Sequence, residues 1–138
     1  MRQAESVFVD SGAWIALALA RDPLHAPARD YWTRLRGAGA KLHTSVPVMI
    51  ETFTFLDRNA NRDVALVWKE SVYRTVRVKI LACDVGDLEQ SWAYFRRADL
   101  HKLSAVDATS FAIMKRARIR LAFTFDHHFA AAGFRLVT

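Results

Sequence analysis

The chain has 138 residues, 52% hydrophobic and 25% charged, with a formal net charge of +6. That length and balance fit one soluble domain able to bury about 68% of its unfolded surface. They argue against a disordered chain, and no apolar run reaches the roughly 18 residues a membrane span needs. Cys83 is the only cysteine, which excludes an intrachain disulfide and a cysteine zinc cluster and fits a reducing cytoplasm. The positive charge favours anionic partners such as nucleic acid.

The first element is a short buried strand at residues 6–9, where "VFV" leads into Asp10. An apolar helix is expected over 13–20, with Ser11 and Gly12 turning the chain before it. "AWIALALA" also looks like a secretory leader, but Glu5 and Asp10 against Arg2 make a poor positive flank. Residues 24–36 read as a helix with Pro27 in its first turn, closed by Gly37-Ala38-Gly39. "KLHTS" at 41–45 is a strand, and Ser45 caps a helix over 46–59 with Pro47 near its start. Residues 62–74 form the next helix. "TVRVKILAC" at 75–83 is a strand. Asp87 to Ala98 reads as a helix with Leu88, Trp92 and Phe95 at helical spacing. Ser104 caps a further helix, with Asp107 three residues on. "RLAFTFD" at 120–126 is a strand, and a short helical piece and "FRLVT" close the chain. Strands alternating with helices predict a three-layer α/β/α domain around a mainly parallel sheet, whose ligands bind outside the carboxyl ends of the strands.

Four acids stand out against that background. Asp10 follows "VFV" and Asp126 follows "AFTF"; Glu51 lies in "VMIETFTFL" and Asp107 in "AVDATSFAIM". A buried, unpaired carboxylate costs several kcal/mol or is driven to neutrality. Two such charges about 5 Å apart repel by roughly 3 kcal/mol at an effective dielectric of 20. A divalent cation removes that conflict, and oxygen ligands suit Mg²⁺ or Mn²⁺ rather than zinc. Each acid alone has a plainer account. Asp10 suits a helix cap, Glu51 a solvent-facing or arginine-paired side chain, Asp107 a first-turn acid, and Asp126 a strand-to-turn aspartate. It is their joint occurrence that points to a metal site.

The pieces "VFVDSGAWIAL", "TSVPVMIETFTFL", "LSAVDATSFAIMKRARI" and "LAFTFDHHFAAAGFRLV", in this order, resemble a PIN-domain protein of the kind that serves as the toxin ribonuclease of VapBC toxin–antitoxin pairs. The resemblance spans nearly the whole chain as one domain, 1–138. It implies that Asp10, Glu51, Asp107 and Asp126 form an acidic Mg²⁺ (or Mn²⁺) site, with Asp10 and Asp107 the most direct ligands. Ser11 stands where a supporting Thr or Ser is usual, and Thr124 and Thr109 are further supporting candidates. Gly12 departs from the commoner Ser without removing a ligand. The resemblance also implies a metal-dependent endoribonuclease of the cytoplasm, an RNA substrate, a homodimer, and a cognate antitoxin that occludes the site.

Two other classes compete. An aspartyl-nucleophile phosphohydrolase also carries an Asp after its first strand, but it normally has a second Asp where this chain has Gly12. A non-catalytic RNA-binding module of the same fold would explain the basic charge but not the acids. There is no G-x-S-x-G elbow and no glycine-rich phosphate loop. His127 and His128 invite a metal reading, yet adjacent histidines are expected to point apart and zinc sites space their ligands. His25, His43 and His101 are isolated. Trp14, Trp32, Trp68 and Trp92 are expected to pack on apolar faces, and Cys83 to fill the core. Arg96, Arg97, His101, Lys102 and Lys115 form either an RNA groove or a solvated face.

Overall fold

The computed structural model describes residues 4–74 and 78–138. Val7, Phe8 and Val9 have no exposed surface. A strand with three consecutive buried side chains is covered on both faces, as parallel sheets are. This strand, β1 (Ser6–Val9), is the middle of a five-stranded, all-parallel sheet in the order β3-β2-β1-β4-β5. Its neighbours are β2 (Lys41–Ser45) and β4 (Leu121–Phe123); β3 (Val78–Leu81) and β5 (Arg135–Leu136) lie at the edges. Val7 pairs with Leu42 on one side and Leu121 on the other. The chain winds outward from β1 to β3 and then crosses to the opposite side for β4 and β5. The topological switch point therefore falls between β1 and β4, where ligands of open α/β sheets bind.

Among the described residues seven helices connect the strands: α1 (Ser11–Ala18), α2 (His25–Gly37), α3 (Val46–Asn59), α4 (Arg62–Arg74), α5 (Val85–Ser91), α6 (Ala105–Ala117) and α7 (His128–Ala131). The expected caps are present. Ser45 Oγ accepts from Val48 N at 3.3 Å, with Pro47 in the first turn of α3, and Ser104 Oγ accepts from Asp107 N at 3.0 Å. In α6, every residue from Asp107 to Met114 is buried, so this helix runs through the core. Arg118 ends it in the left-handed region at φ 59°. Three tryptophans pack as expected. Trp14 sits 5.5 Å from Trp32 and 6.0 Å from Trp68, ring centre to ring centre. Cys83 is half-buried against the core.

Several expectations are corrected. Helix α1 begins at Ser11, so Ser11 and Gly12 lie inside its first turn rather than in a turn before it. The strand expected over 75–83 is seen as Val78–Leu81; residues 75–77 lie outside the described residues. The strand expected over 120–126 pairs only through Phe123, and Thr124 to Asp126 leave the sheet. The helix expected from Asp87 to Ala98 starts at Val85 and gives way at Trp92 to a 3₁₀ turn, Trp92–Arg96. Leu88, Trp92 and Phe95 do not face the core; they are 38%, 45% and 46% exposed. The inward positions are held instead by Asp87 and Ser91, because Asp87 accepts from the amide of the N-cap residue Asp84 and pairs with Arg116.

Candidate metal centre at the switch point

All four acids meet at the carboxyl end of the sheet. Asp10 follows β1 and occupies the N-cap position of α1, with its carbonyl accepting from Trp14 N at 3.1 Å. Its side chain makes no cap hydrogen bond. Instead Oδ2 accepts from the Thr124 hydroxyl at 3.0 Å, while the buried Oδ1 has no partner. Glu51 projects from the second turn of α3 and carries a second buried, unpartnered oxygen, Oε2. Asp107 is the third residue of α6 and is 8% exposed. Asp126 stands three residues beyond β4, where its amide donates to Thr124 Oγ1 at 3.0 Å.

Thr124 thus ties Asp10 to the backbone of Asp126. A second hydroxyl, Thr44, braces the same strand end: it donates to the Val9 carbonyl at 2.9 Å and accepts from Trp14 Nε1 at 3.1 Å. Among the described residues, neither the Ser11 nor the Thr109 hydroxyl makes a hydrogen bond to the four acids. The Ser11 contribution comes from its backbone amide, beside Asp10. Thr109 Oγ1 donates to the Val106 carbonyl within its own helix at 2.7 Å.

The electrostatics record a crowd of like charges. Burial pushes Asp10 up to about 6; the Ser11 amide and Thr124 hydroxyl pull it back, and the Glu51 and Asp126 charges add to the rise. Asp107 is pushed up to about 8, first by burial, then by Asp10, by its hydrogen bond to Asp126, and by the charges of Asp126 and Glu51. Burial alone would also raise Asp126. The His128 amide, the hydrogen bond with Asp107 and the His128 ring outweigh it and hold this carboxyl below its usual range.

His128 is the residue that sequence reasoning passed over. It does not point away from its neighbour; the His127 and His128 rings are stacked with centres 4.6 Å apart. The two differ in exposure: the His127 side chain is 88% exposed and that of His128 only 13%. His128 N donates to Asp126 Oδ1 at 2.9 Å, and Nε2 meets the His101 carbonyl at 2.6 Å. Nδ1 approaches Asp126 Oδ1 to 2.8 Å but is too poorly aligned for a hydrogen bond. Oxygens of Asp107 and Asp126 and a ring nitrogen of His128 lie within 4.8 Å of one another. The Asp-x-His spacing after a strand was the available signal.

The donor set fits a divalent cation. Two buried carboxylate oxygens lack any hydrogen-bond partner, and no lysine or arginine among the described residues pairs with the four acids. Carboxylates gathered at the switch point of a parallel sheet, with only the His128 ring as a cationic partner, form a candidate site for a divalent metal. The chain belongs to the PIN-domain family, a class of metal-dependent nucleases acting on RNA; the family's model for the PIN domain matches residues 7–135. Among particular proteins it is similar to the 23S rRNA-specific endonuclease VapC20 of Mycobacterium tuberculosis, 37% identical over 129 residues that cover 93% of this chain and 95% of that protein. The crystal structure of that protein, described as a sarcin-ricin loop cleaving toxin, superposes with a TM-score of 0.80 at 34% identity, over 93% of this chain and 95% of the other. FitAcB from Neisseria gonorrhoeae shares the fold at a TM-score of 0.69 and 15% identity, with 96% of each chain covered.

Proposed function

We propose that this chain is a divalent-metal-dependent endoribonuclease, the toxin of a type II toxin–antitoxin pair, with Asp10, Glu51, Asp107 and Asp126 as its catalytic acids. The single observation that carries this reading is the convergence of four carboxylates with no lysine or arginine among the described residues to balance them and only the His128 ring beside Asp126. A bound Mg²⁺ or Mn²⁺ supplies Lewis-acid stabilisation of the phosphate and a nucleophilic water at neutral pH. Asp107 and Asp126 are the nearest pair of acids to hold it. Asp107 is protonated at neutral pH without metal, so binding releases a proton from it. Thr124 fixes the Asp10 carboxylate in one orientation. In this reading Glu51, whose Oε2 has no hydrogen-bond partner, orients water or accepts its proton.

RNA as substrate is supported by the net charge of +6, and by the exposed Lys115, Arg118 and Arg120, which make no ion pair among the described residues. The likeness to VapC20 supports a cytoplasmic site of action and a cognate antitoxin. A homodimer is supported by exposed apolar side chains on α3 and α4, where Ile50, Val67 and Tyr73 are 63%, 68% and 64% exposed. No described helix is long and apolar enough to cross a membrane.

The test is RNA cleavage by the purified chain, using ribosomes and total RNA as substrate so that the cut site is mapped without presuming it. Cleavage is expected with Mg²⁺ or Mn²⁺ and not with EDTA. Asp10→Asn and Asp107→Asn should each lose most of it. Substituted proteins that cut as well as wild type would overturn the assignment.

A further inference from the structure

The turn after β4 aims one histidine nitrogen into the acidic site. Asp126 Oδ1 accepts the amide of His128 at 2.9 Å, which folds the chain back and lays the His128 ring beside the carboxylate. The opposite edge of that ring is anchored, with Nε2 2.6 Å from the carbonyl oxygen of His101. A carbonyl has no hydrogen to give, so Nε2 carries the proton and donates. In the neutral ring Nδ1 is then a lone pair. It is buried, has no hydrogen-bond partner, and lies 2.8 Å from Asp126 Oδ1. Two such atoms at that distance share a cation, either a proton, whose hold on the ring Asp126 strengthens, or a metal that displaces it.

The spacing suits one ion. Two adjacent ligands at about 2.1 Å from an octahedral cation lie about 3 Å apart, and opposite ones about 4.2 Å. The ligand atoms of Asp107, Asp126 and His128 fall within 4.8 Å of one another. Independently, Asp10 is 4% exposed, carries an unpartnered Oδ1, and is near enough for its charge to act on Asp107. The contact from Nε2 to a backbone carbonyl is also the arrangement by which metal-bound histidines are oriented.

We propose that His128 Nδ1 is a direct nitrogen ligand of the metal held by Asp107 and Asp126, so that the centre is a mixed nitrogen and oxygen site rather than an all-carboxylate one. This rests on the reading of the acids as a metal centre. It makes His101 a positioning residue, because its carbonyl orients the ring. It also predicts discrimination between metals, since an imidazole nitrogen suits transition ions and contributes little to Mg²⁺ binding.

Pulsed EPR on the intact, Mn²⁺-loaded protein tests this without requiring a variant to fold. A ¹⁴N coupling of a directly bound imidazole is expected in the wild type and in His127→Asn, and its loss in His128→Asn. Calorimetric titration should show His128→Asn weakening Mn²⁺ about tenfold or more and Mg²⁺ less than about threefold. Mn²⁺ bound with no ¹⁴N coupling in the wild type, or equal weakening of both metals, would overturn the nitrogen ligand and leave the carboxylate site standing. Failure of the wild type to bind Mn²⁺ at all would overturn both.

Discussion

Helix α6 carries a buried electrostatic centre at each end, and the two are built in opposite ways. Near its C-terminus Arg116 grips Asp87 with two hydrogen bonds, Nε to Oδ1 at 2.7 Å and Nη2 to Oδ2 at 2.9 Å. Asp87 is only 3% exposed, yet that guanidinium holds its carboxyl below the usual range. Nine residues earlier, about 14 Å along the helix axis, Asp107 is comparably buried and is pushed up to about 8. The fold therefore neutralises a buried carboxylate with an arginine where the role is structural. At the switch point it gathers four acids and sets only the His128 ring against one of them. A metal from solution is the missing charge, and the instability of the metal-free site is a property of function.

That contrast can be broken at either end. The largest effect is expected on catalysis. Asp107→Asn or Asp10→Asn should lower RNA cleavage on the order of 10²–10³-fold, the range seen when one preorganised electrostatic group is removed, with melting unharmed in EDTA. At the other end, Arg116→Ala should leave the cleavage rate per folded molecule unchanged. It should cost about 2 kcal/mol in denaturant unfolding, below the 3–5 kcal/mol of a fully buried pair because Arg116 is partly exposed.

The pH dependence separates the two centres further. Asp10 and Asp107 titrate at about 6 and about 8 in the native protein, above the roughly 3.9 of an unfolded aspartate. Between about pH 4 and 8 these two sites therefore hold more protons in the native state than in the unfolded chain, so their contribution to stability falls as pH rises through that window. The metal-free protein should melt about 5 °C or more lower at pH 8.5 than at pH 5. Asp87, whose carboxyl is lowered, contributes stability in the opposite sense, lost only as pH falls below the ordinary carboxylate range. The smallest effect is expected for Thr124→Val. It keeps the shape but removes the hydroxyl that donates to Asp10 and accepts from Asp126 N. It should cost about 1 kcal/mol and reduce cleavage about tenfold as the two acids lose their common brace.

Much of this was legible in the sequence because short-range rules govern it. The caps Ser45 and Ser104, the helix over 46–59 and the buried "VFV" strand all follow from local pattern. The four acids were visible as charges in apolar surroundings. What was not legible depends on contacts distant in the chain. The spacing of Leu88, Trp92 and Phe95 suggests a buried stripe, but the Asp87–Arg116 pair, 29 residues apart, turns the polar side inward. Thr109 looks like a supporting residue until its hydroxyl is seen bonding Val106. Thr44 supports Val9 from 35 residues away, beyond any local signal. His128 was discounted because neighbouring side chains on a helix or turn were expected to diverge. The bond from its amide to Asp126 and the His101 carbonyl behind its ring override that expectation.

Thermal unfolding at pH 8, with EDTA or with Mn²⁺, tests most directly whether the acids form a cation site. The wild type should melt about 5 °C or more higher with saturating Mn²⁺ than with EDTA. Asp107→Asn should melt higher than wild type in EDTA, because a buried carboxyl repelled by Asp10, Asp126 and Glu51 is gone, and should respond little to the metal. A wild type indifferent to Mn²⁺, together with an Asp107→Asn protein less stable than wild type in EDTA, would show that the acids are held by the protein itself and would contradict the account.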